Sequence, residues 1–267
     1  VTRVLSGAVL IAVAIGIVWF APPAVFQAVA YGILFLSVRE LVGLARASGL
    51  AVPFWLPFIG AAVTLAPFGL ARTADGRAGL LLIALMVQVV ATLGATMAAS
   101  TSGNKAVMAT VSASLFPSLY LALPIGAMVA IRDVGGPAAL FLLMLTIMVS
   151  DTAQYYTGRL AGRRPLAPAI SPKKTVEGAV GGFVLGTLVF AVAGAWWLER
   201  VPAALRTLLG LTIVASGIAG DLFESLLKRS ADIKDSSSII PGHGGILDRI
   251  DALLFAAPIY YVVLQLV

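Results

Sequence analysis

The chain contains no cysteine, a single histidine and little charge: only 11% of its 267 residues are Asp, Glu, Lys or Arg. Without cysteine there is neither a disulfide framework nor a thiolate metal site. A soluble domain carries roughly 25% charged residues. A chain that is 60% apolar, with a mean hydropathy of +1.02, cannot cover its own surface with polar groups, so lipid must be its solvent. Internal repeats and low-complexity tracts are also missing, which weakens transporter architectures built from duplicated halves. The net charge of +6 is dispersed between apolar stretches instead of forming a basic stripe. That pattern argues against nucleic acid and fits membrane topology and anionic lipid head groups.

Long apolar runs are what the sequence does have. A membrane span takes about 20 residues at 1.5 Å rise each, and that ruler marks nine stretches: 4–21, 24–45, 53–71, 78–99, 106–131, 137–158, 178–198, 205–229 and 249–266. Backbone amides in hydrocarbon must bond internally, so these are helices. The expected fold is all-α, a polytopic integral membrane helix bundle of about nine transmembrane helices. It forms a single integral membrane domain over 1–267, with N-terminal helices for packing and lipid access in 1–135 and catalytic helices and loops in 136–267. Val4–Phe20, followed by APPAV, reads as a first span and not as a cleaved leader, because the membrane-like pattern continues downstream. Pro22–Pro23 turns the first two spans into a hairpin, and Pro117 and Pro124 are expected to bend the fifth. Gly178, Gly182 and Gly186 form a small-xxx-small face for close helix packing.

Charge placement sets the orientation. Thirteen of the Lys and Arg residues fall on one side of these spans and five on the other, which predicts a cytoplasmic N-terminus and a C-terminus outside. The acids follow the same side, nine against three. The positive-inside rule does not account for that, whereas a polar site opening to the cytoplasm does.

The acids gather near the end of the chain. On a helix through AGDLFESLLKRS, Asp221, Glu224, Ser225 and Lys228 share one face over two turns. Carboxylates inside an apolar run are costly and face a cavity, a cation or a partner; an internal Glu224–Lys228 ion pair is the bland alternative. Asp248 and Asp251 open the next helix, flanking Arg249. Acids favour helix N-termini in any case, but two on one face invite a cation, and hard oxygen ligands point to Mg²⁺, with room for a second cation. Between these helix ends runs KDSSSIIPGHGGILDRID, whose glycines permit close backbone approach and exposed amides, as phosphate sites require. GHGG is often only a turn, and a lone His243 is structural as readily as functional. Lys228, Arg229, Lys234 and Arg249 around it favour an anion site. Acids for a metal and bases for phosphate suit nucleotidyl or phosphoryl transfer. A second polar cluster, SDTAQYYTGRLAGRRPLAPAISPKKTVEG, carries Asp151 and Tyr155 on one face, and Ser171, Lys173 and Lys174 ahead of a helix that Thr175 to Glu177 would cap. The topology places it on the same side of the membrane.

Ser225 to Asp251 resembles the signature of the phosphatidate cytidylyltransferase (CDP-diacylglycerol synthase) family, S-x-x-K-R-x-x-x-x-K-D followed by P-x-H-G-G-x-x-D-R-x-D. Ser171 to Gly182, SPKKTVEGAVGG, is similar to that family's upstream loop, with Val176 where an aromatic is common. The motifs cover the C-terminal part; the first half matches only in being hydrophobic and multi-spanning. The resemblance implies that CTP and phosphatidic acid give CDP-diacylglycerol and pyrophosphate with a divalent metal, in a homodimer embedded in membrane lipids at the inner (plasma) membrane. It implies metal binding at Asp221 and Asp248, with Glu224 and Asp251 in supporting catalytic roles. The substrate-binding candidates are then Ser171, Lys173, Lys174, Lys228, Arg229, Lys234, Asp235, His243, Gly244, Gly245 and Arg249. Two alternatives stay open: a CTP-dependent enzyme for another lipid phosphate, and a cation-coupled transporter.

Overall fold

The computed structural model describes residues 2–71, 73–99, 107–199, 201–234, 236–237 and 244–266, with the side chains of 2–6 not described. Its helices are α1 (Thr2–Phe20), α2 (Pro23–Ala47), α3 (Trp55–Leu70), α4 (Ala74–Ala99), α5 (Val107–Pro117), α6 (Leu123–Ala161), α7 (Val176–Trp197), α8 (Ala203–Ser230) and α9 (Leu247–Leu266). The all-α class holds, and the chain is a multi-pass membrane protein. The count of about nine spans is not established: five helical runs among the described residues are long and apolar enough to cross a bilayer, namely 23–47, 74–99, 107–161, 176–197 and 203–230.

The run 107–161 holds the fifth and sixth expected spans. Gly136, at φ +74° and ψ 177°, leaves the helical path in a kink between them, and Pro137 restarts the helix. The expected bend of the fifth span takes a specific form. Pro117 closes α5, a π-helical turn spans Ser118–Ala122, and Pro124 sits in the first turn of α6, where its missing N–H costs nothing.

One departure from an all-helical reading lies between α6 and α7. Pro165–Ala167 (β1) and Ser171–Thr175 (β2) pair antiparallel, Pro165 with Thr175 and Ala167 with Ser171. The hairpin gives the polar segment after α6 internal partners for its backbone groups, which a loop beside hydrocarbon needs.

Two large apolar clusters fill the bundle, with a small third around Ala179, Val214 and Ile218. One joins α2, α3 and the π-helical turn around Leu34, Leu65 and Leu121 and reaches Leu247 and Leu254 of α9. The other sits between α6, α7, α8 and α9 around Leu143, Phe190, Ile213 and Tyr260. The small-residue face of α7 packs as expected. A methyl group at Gly178 would meet the Gln154 carbonyl at 2.8 Å, and one at Gly182 the Ser150 carbonyl at 3.0 Å. Helices α6 and α7 therefore approach almost backbone to backbone, bringing the end of α6 beside the β-hairpin. Outward faces remain apolar, as at Leu82, Met86 and Val90 of α4 and Val184 and Leu188 of α7, surfaces that lipid can cover.

Candidate active site

The C-terminal end of α8 lies against the N-terminal end of α9. A methyl at Gly220 would collide with the Asp251 carbonyl at 2.5 Å, and Lys228 of α8 donates to Asp248 of α9 at 2.5 Å. The absence of a side chain at Gly220 lets the two backbones close, so the acids of both helices share one seam. The helical spacing read from the sequence places Asp221, Glu224 and Lys228 along it.

Two groups of charges form there. In the first, Lys174 of β2 forms an ion pair with Asp221. Asp151 of α6 and Asp251 of α9 lie within Coulomb range of both residues, and Arg249 faces Asp151. In the second, Lys228 bridges Glu224 and Asp248. The far oxygen of Asp248, Oδ2, accepts from the Gly245 N–H at 2.8 Å and the Ser236 N–H at 3.2 Å and lies 2.8 Å from the Ser236 hydroxyl. Glu224 is buried, with Oε1 lacking a hydrogen-bond partner among the described residues, and it lies within Coulomb range of Asp248 and Asp251. Asp221 and Asp248, the pair the resemblance assigns to metal, are thus each paired with a different lysine.

Glycine is needed at two positions of this loop. Gly244 has φ +79°, a left-handed conformation that side chains disfavour. A Cβ on Gly245 would lie 2.1 Å from Ser236 Oγ and 2.3 Å from Glu40 Oε2.

Other candidates sit around this seam. Arg229 donates to the Ile170 and Ile233 carbonyls, each at 3.4 Å, tying the end of α8 to the β-hairpin turn. Lys173, Lys234 and Arg249 are exposed and Ser171 is half-buried. Thr175 caps α7, accepting from the Gly178 N–H at 3.1 Å. Glu177 instead accepts from the Arg163 and Arg164 backbone N–H groups, which holds the segment entering β1. Asp235 and His243 lie outside the described residues.

The donor set suits a hard cation. It is all oxygen, and it includes a buried carboxylate oxygen with no hydrogen-bond partner among the described residues. Among the described residues no three of His, Cys, Asp and Glu converge as a ready cage. Mg²⁺ keeps several waters or substrate oxygens among its ligands and takes only one or two carboxylates, so such a cage is not a requirement for it.

The sequence model of the cytidylyltransferase family matches residues 1–267. The chain belongs to that family. Among curated relatives, the phosphatidate cytidylyltransferase of Mycobacterium bovis is 32% identical over 277 aligned residues, covering 99% of this chain and 89% of that protein. The Bacillus subtilis enzyme of the same name is 38% identical over 151 residues, 56% of each chain. The Synechocystis enzyme of that name is 46% identical over 139 residues, covering 49% of this chain and 46% of its own.

Within this member of the cytidylyltransferase family, sequence reasoning passed over two acids that the fold brings to the seam. Asp151 was singled out but given no role; packing of α6 against α8 and α9 brings it within Coulomb range of Asp221 and Asp251. Glu40 entered only the count of acids on one side. It stands in LFLSVRELVGLA, an acid inside an apolar run, the same signal that marked Asp221.

Proposed function

We propose that this protein transfers the cytidylyl group of CTP to phosphatidic acid, giving CDP-diacylglycerol and pyrophosphate, a step of phospholipid biosynthesis. One observation carries the reading to these residues: carboxylates and ammonium groups alternate along the α8–α9 seam, with Lys174–Asp221 at one level and Glu224–Lys228–Asp248 at the next.

The chemistry follows from charge. A phosphate oxygen of the lipid attacks the α-phosphorus of CTP, the bond to the β-phosphate oxygen breaks, and pyrophosphate leaves. A phosphate monoester is already a competent nucleophile near neutral pH, so no serine or histidine nucleophile is required. Both reactants are anions, and the protein's task is to bring them together and hold them in line. Lys173, Lys174, Lys228, Arg229, Lys234 and Arg249 would neutralise triphosphate, departing pyrophosphate and the lipid head group. Ser171, Asp235, His243, Gly244 and Gly245 are binding residues in the same reading, the Gly245 N–H being given to Asp248. Asp221 and Asp248, supported by Glu224 and Asp251, would hold Mg²⁺, with a second cation as a further possibility; when bound, the metal withdraws charge from phosphate oxygens. Release of Lys174 and Lys228 from those carboxylates would free both ammonium groups for phosphate.

The membrane supplies the second substrate. Acyl chains remain in lipid while the head group reaches the polar seam. An apolar cavity of about 290 Å³, lined in part by Leu41, Leu44, Phe116, Pro117 and Leu227, lies beside the end of α8 and suits a chain approaching from that side. The N-terminus and the active site face the cytoplasm, the C-terminus faces outward, the membrane is the inner (plasma) membrane, and the working unit is a homodimer. The α6–α9 half carries the chemistry, and the earlier helices provide packing and lipid access.

The test is purified protein in lipid micelles with CTP labelled at the α-phosphate, phosphatidic acid and graded Mg²⁺. Label entering lipid with equimolar pyrophosphate is the expected result. Transfer to a different lipid phosphate in preference to phosphatidic acid would reassign the acceptor. Cation flux without CTP consumption would overturn the reading in favour of a transporter.

A further inference from the structure

Glu40 lies in α2, remote in sequence from the seam, yet its carboxylate is 4% exposed and fully engaged there. Oε1 accepts from the Ser237 hydroxyl at 2.6 Å and the Ile246 N–H at 3.0 Å. Oε2 accepts from the Ser236 hydroxyl at 2.9 Å and the Leu247 N–H at 2.8 Å. Ile246 and Leu247 lie at the start of α9, where backbone N–H groups have no intrahelical acceptor. A carboxylate from another helix fills that place and favours the positive end of the α9 dipole. The same Ser236 hydroxyl stands 2.8 Å from Asp248 Oδ2. A hydroxyl has one proton to donate, so Ser236 donates to one carboxylate while resting against the other, and its orientation depends on both.

We infer that Glu40 is a positioning residue for the reaction: it pins the loop that enters α9 and, through Ser236, fixes the direction in which Asp248 presents its carboxylate. The inference rests on the functional reading above, since it assigns Asp248 to the chemistry. It also gives the N-terminal half a role beyond packing and lipid access, because one wall of the active-site loop is a side chain of α2. Gly245 belongs to the same arrangement, as its missing side chain makes room for both Glu40 and Ser236.

Gln at position 40 keeps the size but replaces one acceptor oxygen with an NH₂ group. Either orientation then sets that NH₂ against a backbone N–H and turns the serine hydroxyl beside it from donor to acceptor. The experiment compares wild type, Glu40→Gln, Ser236→Ala and the double variant in the labelled-CTP assay, with kcat expressed per folded protein and KM measured for CTP and phosphatidic acid. Both single variants are expected to lower kcat by about tenfold to a hundredfold, the usual cost of losing an orienting hydrogen bond behind a reactive group, with KM values within about twofold. The double variant is expected to lose no more than the worse single, because both act on one contact chain. Losses that multiply in the double variant, or an unchanged kcat in either single, overturn the inference. If Glu40→Gln fails to fold, Ser236→Ala alone decides: a kcat equal to wild type refutes the coupling and a fall with steady KM supports it. Wild-type protein that forms no CDP-diacylglycerol overturns the functional reading itself, a result distinct from multiplicative losses in an active enzyme.

Discussion

At one end of the bundle, charges are consumed in holding helices together. Arg77 of α4 is buried in an ion pair with Asp133 of α6 and also donates to the Ala71 carbonyl at 3.1 Å. Arg132 reaches the Val18 carbonyl at 2.8 Å and the Ala21 carbonyl at 2.5 Å, and lies over the Phe26 ring at 4.5 Å. Each of these groups staples a helix end to a neighbour. At the other end Asp151, Asp221, Glu224, Asp248 and Asp251 crowd one seam, faced by Lys174, Lys228 and Arg249. Such crowding opposes stability, because carboxylates taken out of water repel one another and pairing repays little of the desolvation cost. The contrast teaches that intramembrane charge has two signatures. Structural charges end on carbonyls and single counter-ions, whereas a reactive site leaves like charges together for a ligand to satisfy.

Breaking that contrast gives ordered expectations. The largest effect belongs to Asp221→Asn and Asp248→Asn, each expected to lower kcat by at least about a hundredfold, the scale of removing a group that stabilises transition-state charge. The protein should remain folded, as judged by thermal unfolding in detergent. Wild-type turnover by either variant would return that residue to a structural role. Lys228→Ala comes next, because it leaves Glu224 and Asp248 without their shared ammonium. We expect weakened substrate binding together with lower thermal stability; unchanged KM and kcat would make Lys228 a topology residue only.

At the stapled end, Arg77→Ala should do the reverse. Asp133 is partly exposed, so the loss of this pair is placed at about 1–3 kcal/mol, below the full range for buried pairs. It should appear as a lower unfolding temperature with kcat of the folded fraction unchanged. A large kcat loss there would dissolve the distinction between the two ends. A smaller effect is expected from Thr175→Ala, which removes the α7 cap at about 1 kcal/mol, measured by the same unfolding assay.

Much of this was legible before the fold. Apolar runs marked the helices because period and length are local properties, and the Gly178–Gly182–Gly186 face announced close packing because small residues at a spacing of four serve little else. The α8 acids were legible because an ionised group inside an apolar run has few structural excuses. Partner choice was not legible. Nothing local to Lys174 says that a hairpin will carry it to Asp221. Nothing local to Glu40 says that α2 will deliver it to the start of α9, although the apolar run around it carried the same warning as that around Asp221. The two spans that the ruler of length marked within 107–161 lie on either side of the kink at Gly136, but the angle of that kink was not legible.

The account stands most directly on label transfer from α-phosphate-labelled CTP to phosphatidic acid, measured side by side for wild type, Asp221→Asn, Asp248→Asn and Arg77→Ala. It predicts labelled lipid from wild type and from folded Arg77→Ala at matching rates, and almost none from the two aspartate variants. Equal transfer by all four proteins would contradict it.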